Sequence, residues 1–457
     1  MLSDLNYLSF PLPPDIRRLS EAGDFARMER VIALRLADPC TPKCLHERLR
    51  FELEIAKLTP KYYPFSKSEL FELLKKHIPD ITADEIEALR DDGTFDWRYI
   101  DGEVRYRRNC ISNLLKTRSE YAARQVNHEA ADGKAQRHET LDEVIVRMKE
   151  KGHIHARFEL HEEMTVRSDR LTPGETLRIH LPLPVVHAQV KSAQLLKTSH
   201  EPSVINEETE PHRSVYFELP YEPGMTVSAE FSYEIDAPYV CPDPDRVSAE
   251  QPDFDTEEMP PHVRFTPYLR ALVKEIIGEE TNPLKKAHLI YDFITTKCVY
   301  RFMPAYKMIL DIPEYFASGQ RGDCGVQAIT FITLCRLAGI PAQWQAGLET
   351  RPDDVGNHDW ARFYVAPYGW LYADCSFGGS AHRAGSEMRR EFYFGNLEPW
   401  RLPLCSAFQQ ELNPPKQFMR FDPYDHQNGE IESLTRALDG SEYDTDAYVM
   451  KYEEIDD

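Results

Sequence analysis

The sequence predicts a multidomain α+β protein with a helical N-terminal region, a β-sandwich domain and a mixed α+β core. Three observations carry this. Helix-periodic apolar residues with two capping boxes fill the first 125 residues. Strict two-residue alternation marks Thr226 to Tyr233. A helix pattern opening at Cys324 is followed by two short strands that carry His358 and Asp374. At 457 residues the chain is also too long for one core.

Residues 1–125 are expected to be mostly helical. Asp24 precedes Phe25, Met28, Ile32 and Leu36, and residues 44–57 continue with Leu45, Leu49, Phe51, Leu53 and Ile55. Ser66 with Glu69, and Thr82 with Glu85, are capping boxes ahead of apolar runs. Phe95 to Arg107 alternates about Asp101-Gly102, a hairpin turn. Two helices and a hairpin suggest a winged helix, whose basic patch would be Arg105, Arg107 and Arg108. The acidic chain and the lack of a recognition helix favour a solvated strand edge over DNA contact. Residues 126–140, with Ala130-Ala131-Asp132-Gly133, are expected to be a linker.

Residues 141–238 are expected to form the β-sandwich. Strands are predicted over 157–166, 176–181, 190–196, 214–219 and 226–233, with turns at Pro173-Gly174 and Pro223-Gly224. Residues 237–262 are rich in proline and acids and predict an extended connector. Residues 263–400 form the core, with helices predicted over 268–277 and 283–296 and a short strand at 299–302. Residues 401–457 are expected to be a C-terminal extension. Seven acids against one lysine over 441–457 suggest a solvated tail.

The chemistry centres on Arg321-Gly322-Asp323-Cys324-Gly325. Apolar Val326, Ile329, Ile332 and Leu337 recur at helical spacing, and Gly339 and Pro341 end the helix. This places the Cys324 thiol at a helix N-terminus, where the dipole favours thiolate. Cys324 is therefore expected to be alkylated fastest of the nine cysteines near pH 6, with Cys335 and Cys375 inert. His358 and Asp374 lie sixteen residues apart, an even number. A hairpin about Ala366 would set them directly opposite on one face, with Trp360 facing Tyr372 and Arg362 facing Trp370. A thiol, an imidazole and a carboxylate able to orient it together suit nucleophilic catalysis. Asp359 is expected on the opposite strand face and outside the triad.

These motifs, Gly322-Asp323-Cys324, Cys335-Arg336-Leu337-Ala338-Gly339-Ile340-Pro341-Ala342, His358-Asp359-Trp360, and Gly369-Trp370 with Asp374, recur in order, and residues 265–400 resemble the transglutaminase-like superfamily. The resemblance implies a papain-like core, with Cys324 as nucleophile, His358 as base and Asp374 as orienting acid. Tyr300 is the candidate to complete an oxyanion hole, with a core tyrosine as the competing reading. Leu177 to Pro184 resembles the β-domain that precedes this core in many bacterial members. Cys375-Ser376 and Gln343 depart from the usual pattern and leave the substrate open.

A net charge of −22 argues against a general nucleic-acid or anionic-membrane binder. No run approaches the roughly 18 apolar residues of a membrane span. The first residues lack a signal-peptide pattern. Nine cysteines without a compact spacing suit a reducing cytoplasm. Cys40, Cys44 and His46 lack a fourth ligand, and no phosphate loop or metalloprotease motif is present, so neither metal nor cofactor is expected. The expected function is amide acyl transfer through a thioester, as a peptidase or amidase acting on a protein or peptide. The alternatives are a protein-glutamine transglutaminase, a non-catalytic scaffold that keeps the fold, and a DNA-binding regulator using residues 66–108. The sequence leaves the oligomeric state open.

Overall fold

The computed structural model describes residues 5–126 and 129–455, without the side chains of 129–136. The first four residues, read above for a signal peptide, lie outside this range. The fold is α+β and multidomain, and it divides into two compact units. One combines Ser3–Thr140 with Val299–Leu310, and the other combines Leu141–Cys298 with Asp311–Asp457.

The first unit is built from short amphipathic helices. Both capping boxes form: Ser66 and Thr82 accept from the N3 amides of Glu69 and Glu85, whose carboxylates return the bond. The helices Lys67–His77 and Ala83–Asp91 then pack Leu70, Leu74, Ile86 and Leu89 with Phe95 and Tyr106 of the hairpin region. The hairpin pairs Trp97–Ile100 with Glu103–Tyr106. Its arginines do not form one exposed face. Arg107 is buried beside Asp96 at 3.7 Å, while Arg105 pairs with Glu103 at 2.7 Å. The expected linker at 126–140 is corrected: from Glu129 to Lys151 the backbone is one helix. Strong helix formers at Glu129, Ala130, Ala131 and Ala135 outweigh the roughly 1 kcal/mol cost of Gly133. Residues 127 and 128 lie outside the described range.

The second unit holds two four-stranded antiparallel sheets and one five-stranded sheet. Thr226–Pro238 alternates buried and half-buried along its length and sits between His153–Val166 and Val190–Thr198. Thr176–Pro182 and Ser214–Pro220 pair at the centre of the second sheet. Both sheets are extended by the C-terminal segment. Glu430–Ser433 pairs with Thr176–Pro182, and Tyr443–Glu454 pairs with His153–Val166. The acidic run is thus an edge strand and not a solvated tail. Its acids meet bases, as Glu454 meets Arg147 at 2.8 Å, and exposed charges on an edge also discourage pairing with another chain.

The five-stranded sheet runs in the order Phe394–Gly395, Gly369–Ala373, Asp354–Val365, Ala342–Arg351 and Arg401–Cys405. The helix Cys324–Leu337 is buried from Gly325 to Arg336, and its polar Gln327, Thr330, Thr333 and Arg336 are each satisfied by a backbone carbonyl. It packs on the central strands, Phe331 meeting Phe363 edge-on at 5.7 Å, and against the helices Pro283–Lys297, Ile312–Gly319 and Cys375–Arg383.

The helix Pro283–Lys297 is tied to the helix Glu387–Phe392 by charge. His288 Nδ1 lies 3.1 Å from Asp292 and Nε2 lies 3.0 Å from Glu391. Hydrogen bonds to these two carboxylates hold the imidazolium proton up to about pH 9, against the opposing effect of burial. Because the folded pKa is raised, this stabilisation is complete below the unfolded value near 6.5 and is lost as pH rises through about 9. The melting-temperature deficit of His288→Gln should therefore be full at pH 6 and vanish by about pH 10 in thermal scans across that range.

Candidate functional site

Cys324 is the first residue of its helix. Asp323 caps that helix, its carboxylate accepting from the Val326 amide at 3.2 Å. Gly322 has no room for a side chain, since a Cβ there would fall 2.7 Å from both Phe316 and Val326. The loop before the thiol is therefore fixed by packing.

His358 lies on the strand Asp354–Val365 and Asp374 directly follows the strand Gly369–Ala373. Their side chains meet: His358 Nε2 and Asp374 Oδ2 are 2.7 Å apart, with Asp374 fully buried and His358 nearly so. The register differs by two residues from the expected one. Ala361 pairs with Ala373 and Arg362 with Tyr372, so the hairpin turns about Pro367 and not Ala366. A shift of two preserves the face, which is why the His–Asp contact survives. It becomes a diagonal contact reached from the end of the ladder. Arg362 still meets Trp370, its guanidinium 4.4 Å from the ring centre.

Asp374 has three partners at once. It caps the helix Cys375–Arg383 by accepting from the Phe377 amide at 2.9 Å, it meets His358, and it lies 3.0 Å from Arg401 Nη1. Burial acts to raise its pKa, but the charges of His358 and Arg401 outweigh this and hold it below the usual carboxylate range. Arg401 is itself fully buried. Its Nε donates to Glu398 at 2.7 Å, and its plane stacks on Phe377 at 4.1 Å. Gly347 admits the Arg401 strand, because a Cβ there would lie 2.0 Å from the Leu402 carbonyl oxygen. Arg401 gave no sequence signal, being one arginine in a proline-rich run.

The thiol departs from expectation. The Cys324 Sγ–H donates to Asp359 Oδ2 at 3.4 Å, and Asp359 Oδ1 accepts from Gln427 Nε2 at 2.7 Å. Burial first, then the carboxylates of Asp359 and Asp323, push the Cys324 thiol well up. These effects oppose the helix dipole on which the expected thiolate rests. Asp359 remains apart from the His–Asp contact, but it faces the thiol. Cys335 and Cys375 are buried, and burial pushes both thiols well up.

Tyr300 lies in the other unit, buried, with Lys116 Nζ 3.6 Å from its ring centre and Phe302 edge-on at 5.2 Å. Cys40 and Cys44 are exposed. Among the described residues, the side chains close enough to hold a cation are His288, Asp292 and Glu391. Arg390 already pairs with both carboxylates, and both ring nitrogens of His288 face an acid. That arrangement suits an ion-pair cluster.

Removing Arg401 would leave Asp374 and Glu398 as buried charges without their cation. Arg401→Met should cost about 3–5 kcal/mol in urea unfolding, with Arg401→Lys recovering part of the loss.

Residues 270–375, which span Cys324, His358 and Asp374, match the family model of the transglutaminase-like superfamily. An uncharacterized protein of Haemophilus influenzae is 27% identical over 228 residues, which is 42% of this chain. The match spans 60% of that relative's length. Among solved structures, a Cytophaga hutchinsonii protein described as a candidate cysteine protease is similar, with a TM-score of 0.37 at 14% identity, over 66% of this chain and 91% of that one. The periplasmic domain of TgpA from Pseudomonas aeruginosa is similar with a TM-score of 0.28 at 16% identity, over 54% and 95%. The core of this chain thus carries a transglutaminase-like domain over residues 270–375.

Proposed function

We propose that the chain is a cysteine-dependent amide acyl-transfer enzyme, working as a peptidase or amidase on a protein or peptide. The observation that carries this is the buried 2.7 Å contact between His358 Nε2 and Asp374, in the same unit as a thiol at a helix start. Asp374 fixes the ring by its Nε2 and leaves Nδ1 as the nitrogen for proton transfer. His358 takes the Cys324 proton as sulfur bonds to the substrate carbonyl carbon. The tetrahedral intermediate collapses, the C–N bond breaks, and His358 returns that proton to the leaving amine. Water then attacks the thioester, with His358 accepting its proton, and the C–S bond breaks to regenerate the thiol.

A protein-glutamine transglutaminase would differ only in the last step, where an amine replaces water. Hydrolysis is favoured because free cross-linking inside a cell would be harmful, and a cytoplasmic setting is proposed on the strength of nine free cysteines. A panel of peptide, isopeptide and glycopeptide amides, with and without excess primary amine, tests this. Cys324→Ala should lower turnover by roughly 10⁴-fold or more. Asp374→Asn should cost about 10²–10⁴-fold, with the ring left in place but unoriented. An intact rate in Cys324→Ala sinks the reading, and amide product in excess amine moves it to cross-linking.

A further inference from the structure

The second unit also holds a cavity of about 620 Å³ that none of Cys324, His358 and Asp374 lines, within the roughly 300–1,000 Å³ range of small-molecule sites. Three segments wall it: the connector at 239–244, the helix Pro283–Lys297, and the run from Glu387 to Asn396. The connector is held off the helix from both sides. The Tyr239 amide donates to the Gly152 carbonyl at 2.7 Å. Asn396 grips Val240 twice, accepting from its amide at 2.6 Å and donating to its carbonyl at 2.9 Å. Further along, Asn282 Nδ2 donates to the Pro244 carbonyl at 2.8 Å, and Pro242 and Pro244 stiffen the span. The inner surface is largely apolar. Tyr239 and Phe392 stack with ring centres 6.5 Å apart, and Phe394 meets His288 edge-on at 4.7 Å. Leu284 is buried beneath, while Leu289 stays 36% exposed.

The lining charges divide into committed and uncommitted groups. Glu387 places both oxygens on Arg390, and Glu391 places one on Arg390 and the other on His288. Glu280 accepts from the amides of Thr281 and Asn282 at 2.8 Å each and lies in the field of Lys285. Lys149, exposed in the last turn of its helix, has no carboxylate partner among the described residues. We infer that this cavity binds a small amphiphile, an aliphatic chain ending in a carboxylate, with the chain against Phe392, Phe394 and Leu289 and the carboxylate at Lys149. A chain leaves water without needing hydrogen bonds that this surface does not offer. The head makes a charge-assisted contact with the cation that no carboxylate already holds. A cationic head would reach Glu387 or Glu391 only by displacing Arg390 or His288.

Cys241 is exposed on the connector wall and reports occupancy. The test alkylates the full-length chain with limiting iodoacetamide and follows Cys241 by mass spectrometry, with exposed Cys40 and Cys44 of the other unit as internal controls. Sodium dodecanoate, kept below its micelle concentration, should slow Cys241 alone. Half-protection is expected near or below about 100 µM, the strength with which one acyl chain enters an apolar phase. Dodecyltrimethylammonium, with the same chain and the opposite head, should protect about fivefold more weakly or worse. Lys149→Gln, measured against its own unprotected rate, should weaken dodecanoate by about threefold to fivefold. Equilibrium dialysis gives a second measure, a single dodecanoate per chain that is lost when Cys241 carries ethylmaleimide. Equal slowing of all three cysteines overturns the proposal. So does protection by the cation as strong as by the carboxylate, or dodecanoate uptake unchanged by the ethylmaleimide.

Discussion

Much of the core hangs on one carboxylate. Asp374 ends a strand, starts a helix, fixes an imidazole and balances a buried guanidinium, all with two oxygens. A carboxylate taken wholly out of water costs several kcal/mol unless such partners compensate it. Each partner comes from a different part of the chain, so the residue is satisfied only when the strand, the helix and the Arg401 strand are all in place. The geometry of His358 is therefore a consequence of folding, and the ring needs no substrate to be oriented.

Arg401 extends the dependence to the C-terminal third. Its strand reaches the core sheet only because Gly347 has no Cβ, and the next strands, Glu430–Ser433 and Tyr443–Glu454, each complete a sheet of the β-domain. Between them lies another buried charge cluster, where Glu430 takes Lys416 and Arg420 at 2.7 Å each. The segment that supplies Gln427 to Asp359 thus also binds core and sandwich into one compact unit. Polar contacts work the same seam, Tyr233 sharing a 2.7 Å bond with Thr350 and Tyr372 donating to Gln189 at 2.8 Å.

What could be read from the sequence follows the range of the forces involved. Alternation revealed Thr226–Tyr233 because one face is buried along its whole length, and capping boxes revealed two helices because their bonds span three residues. The His358–Asp374 contact was legible because residue type and parity survive a register error of two. The strand Tyr443–Glu454 was not legible. Its acids fall on both faces, and a bulge between Val449 and Lys451 breaks the alternation. Arg401, Asp359 and Gln427 were missed for a related reason: their roles exist only through partners about 30 to 70 residues away.

The thiol shows why local rules can point the wrong way. A helix start offers roughly half a positive charge, an effect of about 0.3–1 kcal/mol that fades within one turn. Against it stand the desolvation of a half-enclosed sulfur and two carboxylates, Asp359 within hydrogen-bond reach and Asp323 on the preceding residue. Burial is the largest effect on the thiol, and it pushes the Asp359 carboxyl at 3.4 Å up as well, so a partial charge spread over a helix end is opposed on both counts. The sequence contained both terms, since Asp359 adjoins His358, but strand parity assigned it to the far face. The helix, packed through Phe331 on Phe363, brings its first residue within 3.4 Å of Asp359 in the middle of that strand. Tertiary packing, not propensity, decides which charge the sulfur meets.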